Sequence, residues 1–233
     1  MFKTQAPTMR LTLRVLAHLL RYPDTELRAN VGELADALHL EAAVHSHRLE
    51  ELQGLIRRLQ VLDALQIESE YVEMFDRSRS TALHLFEHVH GDSRDRGPAM
   101  IDLIQTYEQA GLYLGPDELP DHLPVLLEFA SSQPPQQARE FLAETAHIVR
   151  KIFSALLQRE SPYASVLAAV LELAGEKAEA VPVPTEPSMD VSWAEPEVFG
   201  GCSTQGHARP GQAQPVHIVR NISSNASFYG VQP

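Results

Sequence analysis

Between residues 10 and 174, apolar side chains recur at helical spacing, and the strict alternation of a half-buried strand is almost absent. Leu49, Leu52, Ile56, Leu59 and Leu62 form one such stripe, and Met100, Leu103, Ile104, Tyr107 and Gly111 another. Phe141, Ile148, Ile152, Phe153 and Leu156 form a third. A stripe must be covered by a partner face, so the pattern predicts an all-α, single-domain bundle of about eight helices. Turn residues fall between the stripes. Tyr22-Pro23-Asp24 separates the first two helices, with Asp24 or Thr25 placed to cap the second. Ser161-Pro162 reads as a cap followed by a first-turn proline, and Gly175 as the close of that helix. Gly115-Pro116 and Pro134-Pro135 are further breaks.

The pattern changes after residue 180. Residues 181–233 hold seven of the sixteen prolines and five of the twelve glycines, with no sustained periodicity, so they read as an irregular, flexible Pro/Gly-rich tail beside an all-helical domain at 1–180. Short apolar islands interrupt the tail at Trp193, at Val198-Phe199 and at 215–219.

Composition adds what the chain is unsuited for. With 44% apolar and 21% charged residues it can bury a substantial core. A net charge of -12 without a basic patch argues against a nucleic-acid partner, and the acid surplus reads as a solubility device or as a field that attracts cationic peptides or surfaces. The lone cysteine, Cys202, allows no internal disulfide. The stretch 11–20 is too short and too polar to cross a bilayer, and residues 1–9 lack a secretion signal. A cytoplasmic protein is expected.

Chemistry-bearing side chains concentrate between Glu70 and Arg96 and again at 117–124. His84-Leu85-Phe86-Glu87-His88 spells H-x-x-E-H, which on a helix would stack two imidazoles beside a glutamate, as a metal-dependent hydrolase requires. No third ligand can be named, so the hydrolase is an alternative and no metal site or catalytic residue is assigned. The charged loop 91–97, set between two glycines, reads as a salt-bridged connector between helices or as the polar rim of a groove. In Glu118-Leu119-Pro120-Asp121-His122-Leu123-Pro124, Asp121 is placed to cap a helix whose first turn holds Pro124, with Asp117 and Glu118 adding charge at that helix end. Capping leaves His122 unexplained, which points to a further role for Asp121-His122. Tyr71, Met74 and Phe75 share a helix face that reads as core or, where exposed, as a deformable apolar groove for a partner helix.

Four runs taken together resemble a known family: 71–77 (Tyr71 to Arg77), 85–91 (Leu85 to Gly91), 93–97 (Ser93 to Gly97) and 118–124 (Glu118 to Pro124). In this order they resemble the NarJ-type nitrate reductase assembly chaperones, also called delta subunits. Those belong to the wider class of redox-enzyme maturation chaperones that includes TorD and DmsD. The resemblance covers about residues 10–175 and leaves the tail unassigned. It implies an all-helical cytoplasmic chaperone, not an enzyme and without a cofactor of its own. Such a chaperone binds the N-terminal segment of the apo alpha (catalytic) subunit of respiratory nitrate reductase, permits molybdenum cofactor insertion, delays membrane attachment, and is absent from the finished enzyme. It further implies a peptide-binding region at Tyr71, Phe75, Glu118, Pro120, Asp121 and His122. Met74 joins it on the helix-face reading, as part of an apolar wall edged by negative charge. The family's pattern carries an apolar residue where His84 stands, which counts against zinc.

Overall fold

The structure, a computed structural model, describes residues 8–183 except Asp92 and Asp117. Eight α-helices occupy the described residues: α1 (Arg10–Leu19), α2 (Thr25–Glu41), α3 (Ser46–Val61), α4 (Ala64–Tyr71), α5 (Arg96–Gln109), α6 (Leu123–Ser132), α7 (Pro135–Gln158) and α8 (Ala164–Leu173). A turn of π-helix (Val72–Asp76) extends α4, and two short 3₁₀ turns (Arg79–Thr81 and Leu85–Glu87) lead toward α5. No sheet occurs among the described residues. The predicted all-α bundle is therefore the observed architecture. These helices fall within one compact unit, Met1–Glu186. Of the predicted tail, all but residues 181–183 lies outside the described residues.

Two helices organise the core. The sequence of α8, ASVLAAVLEL, is apolar on nearly every side, so it is buried along most of its length. It packs against α7, α3 and α1. From α1, the residues Thr12, Leu13, Val15, Leu16, Ala17 and Leu19 are buried, and that helix packs against α2, α6 and α8. Long α7 spans about 36 Å at 1.5 Å per residue and backs both α6 and α8. Of the α3 and α7 stripes, Leu52, Ile56, Leu59, Ile148, Ile152, Phe153 and Leu156 are buried, and Leu49, Leu62 and Phe141 are half-buried against the core. The α5 stripe is different: Tyr107 is buried, Ile101 is 56% exposed, and Met100, Leu103 and Ile104 are half-buried.

Charged side chains close several helix ends. The Asp24 carboxylate accepts from the Leu27 N–H, as predicted for the α2 cap. At the start of α1, the Thr12 N–H donates to Glu41, placing an anion at a positive helix end. Arg28 reaches the carbonyls of Leu59 and Leu62 at the C-terminus of α3. Gly175 has φ +85 and closes α8, with the Glu176 N–H on the Leu171 carbonyl, a left-handed position that a side chain would strain. Ser161 does not act as the predicted cap. Its hydroxyl makes no hydrogen bond, its carbonyl accepts from the Ala164 N–H instead, and α8 begins only at Ala164.

Candidate functional site

Residues 83–86 run antiparallel to 121–123, joined by hydrogen bonds from Leu85 N–H to the Asp121 carbonyl (3.0 Å) and from Leu123 N–H to the Leu83 carbonyl (2.9 Å). This single bridge sets His84 opposite His122, and their rings stack with centroids 4.9 Å apart and planes 26° from parallel. The bridge also decides the fate of the H-x-x-E-H motif. His84 is extended, only Leu85–Glu87 is helical, and that turn is 3₁₀, so residues 84 and 88 do not share a helix face. His88 Nε2 lies 2.8 Å from the Ala82 carbonyl, and Glu87 faces Arg96 at 3.9 Å. Among the described residues no three His, Cys, Asp or Glu side chains are placed to hold a metal. The hydrolase alternative built on His84, Glu87 and His88 is therefore withdrawn.

Asp121 is the centre of the arrangement. Its side chain is 0% exposed, and Oδ2 accepts from the Phe86 N–H at 3.1 Å. His84 Nδ1 stands 3.5 Å from Oδ1 and Arg96 Nη2 3.8 Å from Oδ2. Burial is the largest influence and pushes the carboxyl's pKa up, but His84, the Phe86 N–H and Arg96 together outweigh it and hold the pKa below the usual aspartate value. The predicted capping role fails in a specific way: the carboxylate accepts an N–H from the 3₁₀ turn across the bridge, and His122, with no side-chain cap, opens α6. Pro124 does occupy the first turn of α6, where it forfeits no intrahelical bond. The preceding segment is anchored by Tyr107, whose hydroxyl donates to the Pro120 carbonyl at 2.8 Å. Burial, and then the neighbouring His84, lowers the pKa of His122 to about 4, which leaves its imidazole neutral at pH 7.

Above this frame lies a recess of about 360 Å³, bordered by Arg21, His84, Glu118, His122 and Glu128 around apolar Leu119 and Val125. A second recess, of about 550 Å³, opens between the end of α1 and the start of α2, among His18, Arg21, Tyr22, Asp24, Glu26 and Glu33, over Leu27 and Leu34. Both volumes fall in the range of small-molecule and side-chain pockets. Arg21 borders both, and its Nη1 stands 3.6 Å from a Glu128 oxygen.

The predicted site residues thus separate into two groups. Glu118 is exposed and His122 half-buried, and both line the smaller recess. Pro120 and Asp121 are buried beneath it. Tyr71 and Phe75 are 6% and 5% exposed, so the apolar wall expected from them is core. Their rings lie 4.9 Å apart and both meet Tyr163 edge-on. Met74 is half-buried, and its carbonyl accepts from the Thr81 hydroxyl. Tyr71 nevertheless reaches the recesses through α1: its hydroxyl donates to the Leu20 carbonyl at 2.8 Å, and its ring meets Tyr22 edge-on at 5.5 Å. Arg21, Tyr22 and Glu128 were not among the predicted site residues. Tyr22 read only as punctuation, whereas Val125 and Glu128 follow His122 at the three-residue spacing of one α6 face, a signal that was available.

Comparison with known proteins agrees with this architecture. A family profile described as "Nitrate reductase delta subunit" matches residues 21–169. The nitrate reductase molybdenum cofactor assembly chaperone NarJ of Escherichia coli (strain K12) is 38% identical over 196 residues, which covers 80% of this chain and 83% of that protein. A Bacillus subtilis (strain 168) protein assigned as a NarJ assembly chaperone is 32% identical over 163 residues, covering 70% and 87%. Among solved structures, one assigned as a redox enzyme maturation protein from Archaeoglobus fulgidus superposes with a TM-score of 0.52 at 21% identity, over 75% of this chain and 99% of that one, a likeness of fold.

Proposed function

Because the chain belongs to the nitrate reductase delta-subunit family, we propose that it is an assembly chaperone that binds the N-terminal segment of the apo alpha subunit of a respiratory nitrate reductase. It keeps that subunit open for molybdenum cofactor insertion and off the membrane until assembly is complete, working in the cytoplasm and leaving the finished enzyme. No helix among the described residues is long and apolar enough to cross a membrane. The role calls for a groove and not for a reacting group, so the protein acts as a binder and not as a catalyst.

The observation that carries this reading is the pair of acid-edged recesses that meet at Arg21. Asp24, Glu26 and Glu33 edge one, and Glu118 and Glu128 the other, while Leu27, Leu34, Leu119 and Val125 supply apolar floor. An amphipathic leader helix with basic residues on its polar side fits such a surface: apolar burial supplies affinity and charge sets orientation. Glu118 and His122 contact the leader directly. Tyr71, Phe75, Pro120 and Asp121 act from beneath, by holding the walls in place, and Met74 supports the same layer.

Titration calorimetry with a synthetic alpha-subunit N-terminal peptide tests this. Binding is expected, with Glu118→Ala and His122→Ala each weakening it while the helical circular dichroism stays unchanged. A wild-type protein that gives no heat with that peptide, and does not co-purify with apo alpha subunit, overturns the reading.

A further inference from the structure

Arg21 is the only lysine or arginine on the lining of either recess, and it belongs to both. Its tether is weak. The Nη1 to Glu128 distance is 3.6 Å, the two side chains are 48% and 45% exposed, and Arg21 is the only ion-pair partner of Glu128 among the described residues. Exposed pairs of this kind contribute about 0 to 1 kcal/mol, so the guanidinium can leave at small cost. The imidazoles of His18 and His122 are poor replacement cations at neutral pH. Burial lowers the pKa of His18, with Arg21 adding to the effect, and His122 is held at about 4.

We propose that Arg21 is a displaceable gate between the two recesses, and that a cationic side chain of the bound leader helix takes its place on Glu128. The inference rests on the leader-binding reading and adds to it a specificity-determining pair. With Arg21 in place, the wall between the recesses carries its own positive charge and the Glu128 carboxylate is occupied. With Arg21 swung out to solvent, the recesses join into one groove edged by Asp24, Glu26, Glu33, Glu118 and Glu128. A leader is then selected twice: by the apolar face that fills the groove, and by a lysine or arginine positioned to meet Glu128. A leader without that charge has to leave the native pair intact and occupies one recess only.

The two partners of the pair make opposite predictions, which a merely structural role for the salt bridge does not. Calorimetry uses the full chain and two synthetic peptides: the alpha-subunit leader with its basic residues, and the same leader with those residues replaced by glutamine. Arg21→Ala, and independently Arg21→Gln, should tighten binding of the basic leader by about fivefold, the equivalent of one exposed ion pair, and Glu128→Gln should weaken it by about the same factor. For the glutamine peptide, Glu128→Gln should not weaken binding, and the Arg21 variants should tighten it less than they tighten the basic leader's. Equal or same-sign effects at positions 21 and 128, or the same response from both peptides, overturn the gate. Those outcomes leave the leader-binding reading standing, because that reading fails only if the wild-type protein binds neither peptide.

Discussion

The carboxylate of Asp121 lies wholly inside the molecule and stays charged because the Phe86 N–H, His84 and Arg96 all face it. Removing it leaves a buried donor and two cationic or potentially cationic groups without their acceptor. Asp121→Ala should therefore lose about 3 kcal/mol of stability, within the range for breaking a buried pair, and Asp121→Asn less, since an amide oxygen can still accept from Phe86. Urea titrations check this, and an unchanged midpoint for the alanine variant removes Asp121 from the frame of the site. Tyr71 poses a related case. Tyr71→Phe keeps the ring against Tyr22 and Phe75 but leaves the Leu20 carbonyl without the phenol, at a cost of about 1 to 2 kcal/mol. Because Leu20 adjoins Arg21 and Tyr22, the variant should also weaken leader binding at a temperature where it is fully folded. Loss of stability with unaltered affinity confines Tyr71 to the core.

Among the elements, the helices were legible because each obeys one local rule. The stripes at 49–62 and 141–156 are buried at their centres and half-buried at Leu49, Leu62 and Phe141, and Asp24 caps α2 as its position foretells. A stripe shows which face is apolar, not what covers it, and α5 shows the difference: its stripe is helical like that of α3, yet Tyr107 is its one fully buried side chain. The amides of α5 should accordingly exchange with deuterium well before those of α8, which is buried almost throughout, and equal protection of the two helices contradicts this account. Other errors share a cause. His84 to His88 has helical spelling, and Asp121 has the position of a cap, but a pairing between segments more than thirty residues apart redirects both. Tyr71 and Phe75 follow the core reading that their helix face offered, which the residue pattern alone does not separate from an exposed groove. Of the site, the Glu118 to His122 segment was visible in the sequence. Its opposite wall, at the end of α1, depends on how α1 meets α6 and was not.

Among the groups whose titration shifts on folding, His122 and Asp121 act over different pH windows. The pKa of His122 is depressed from 6.5 to about 4 on folding, so the unfolded chain binds a proton over that interval that the folded one refuses. Stability is therefore full above about 6.5 and falls as pH drops toward 4, by at most about 2 kcal/mol at pH 5. The contribution of Asp121, whose pKa is also lowered, is present above its unfolded value and is lost only in stronger acid. Thermal melts between pH 7 and 5 should show a declining midpoint that His122→Asn flattens. An identical decline in that variant assigns the acid sensitivity elsewhere.

The covering of α1 by α6 and α8 also orders events during synthesis. The first helix leaves the ribosome with its apolar face bare, α2 covers part of it early, and the rest waits until residues 123–173 have followed it out. The same timetable governs the smaller recess, whose wall carries both Arg21 and Glu128, whereas the larger one is lined by residues between His18 and Leu34. A nascent chain therefore cannot complete the smaller recess before α6 has emerged, and translation arrested short of α6 leaves α1 without the helix that covers most of it.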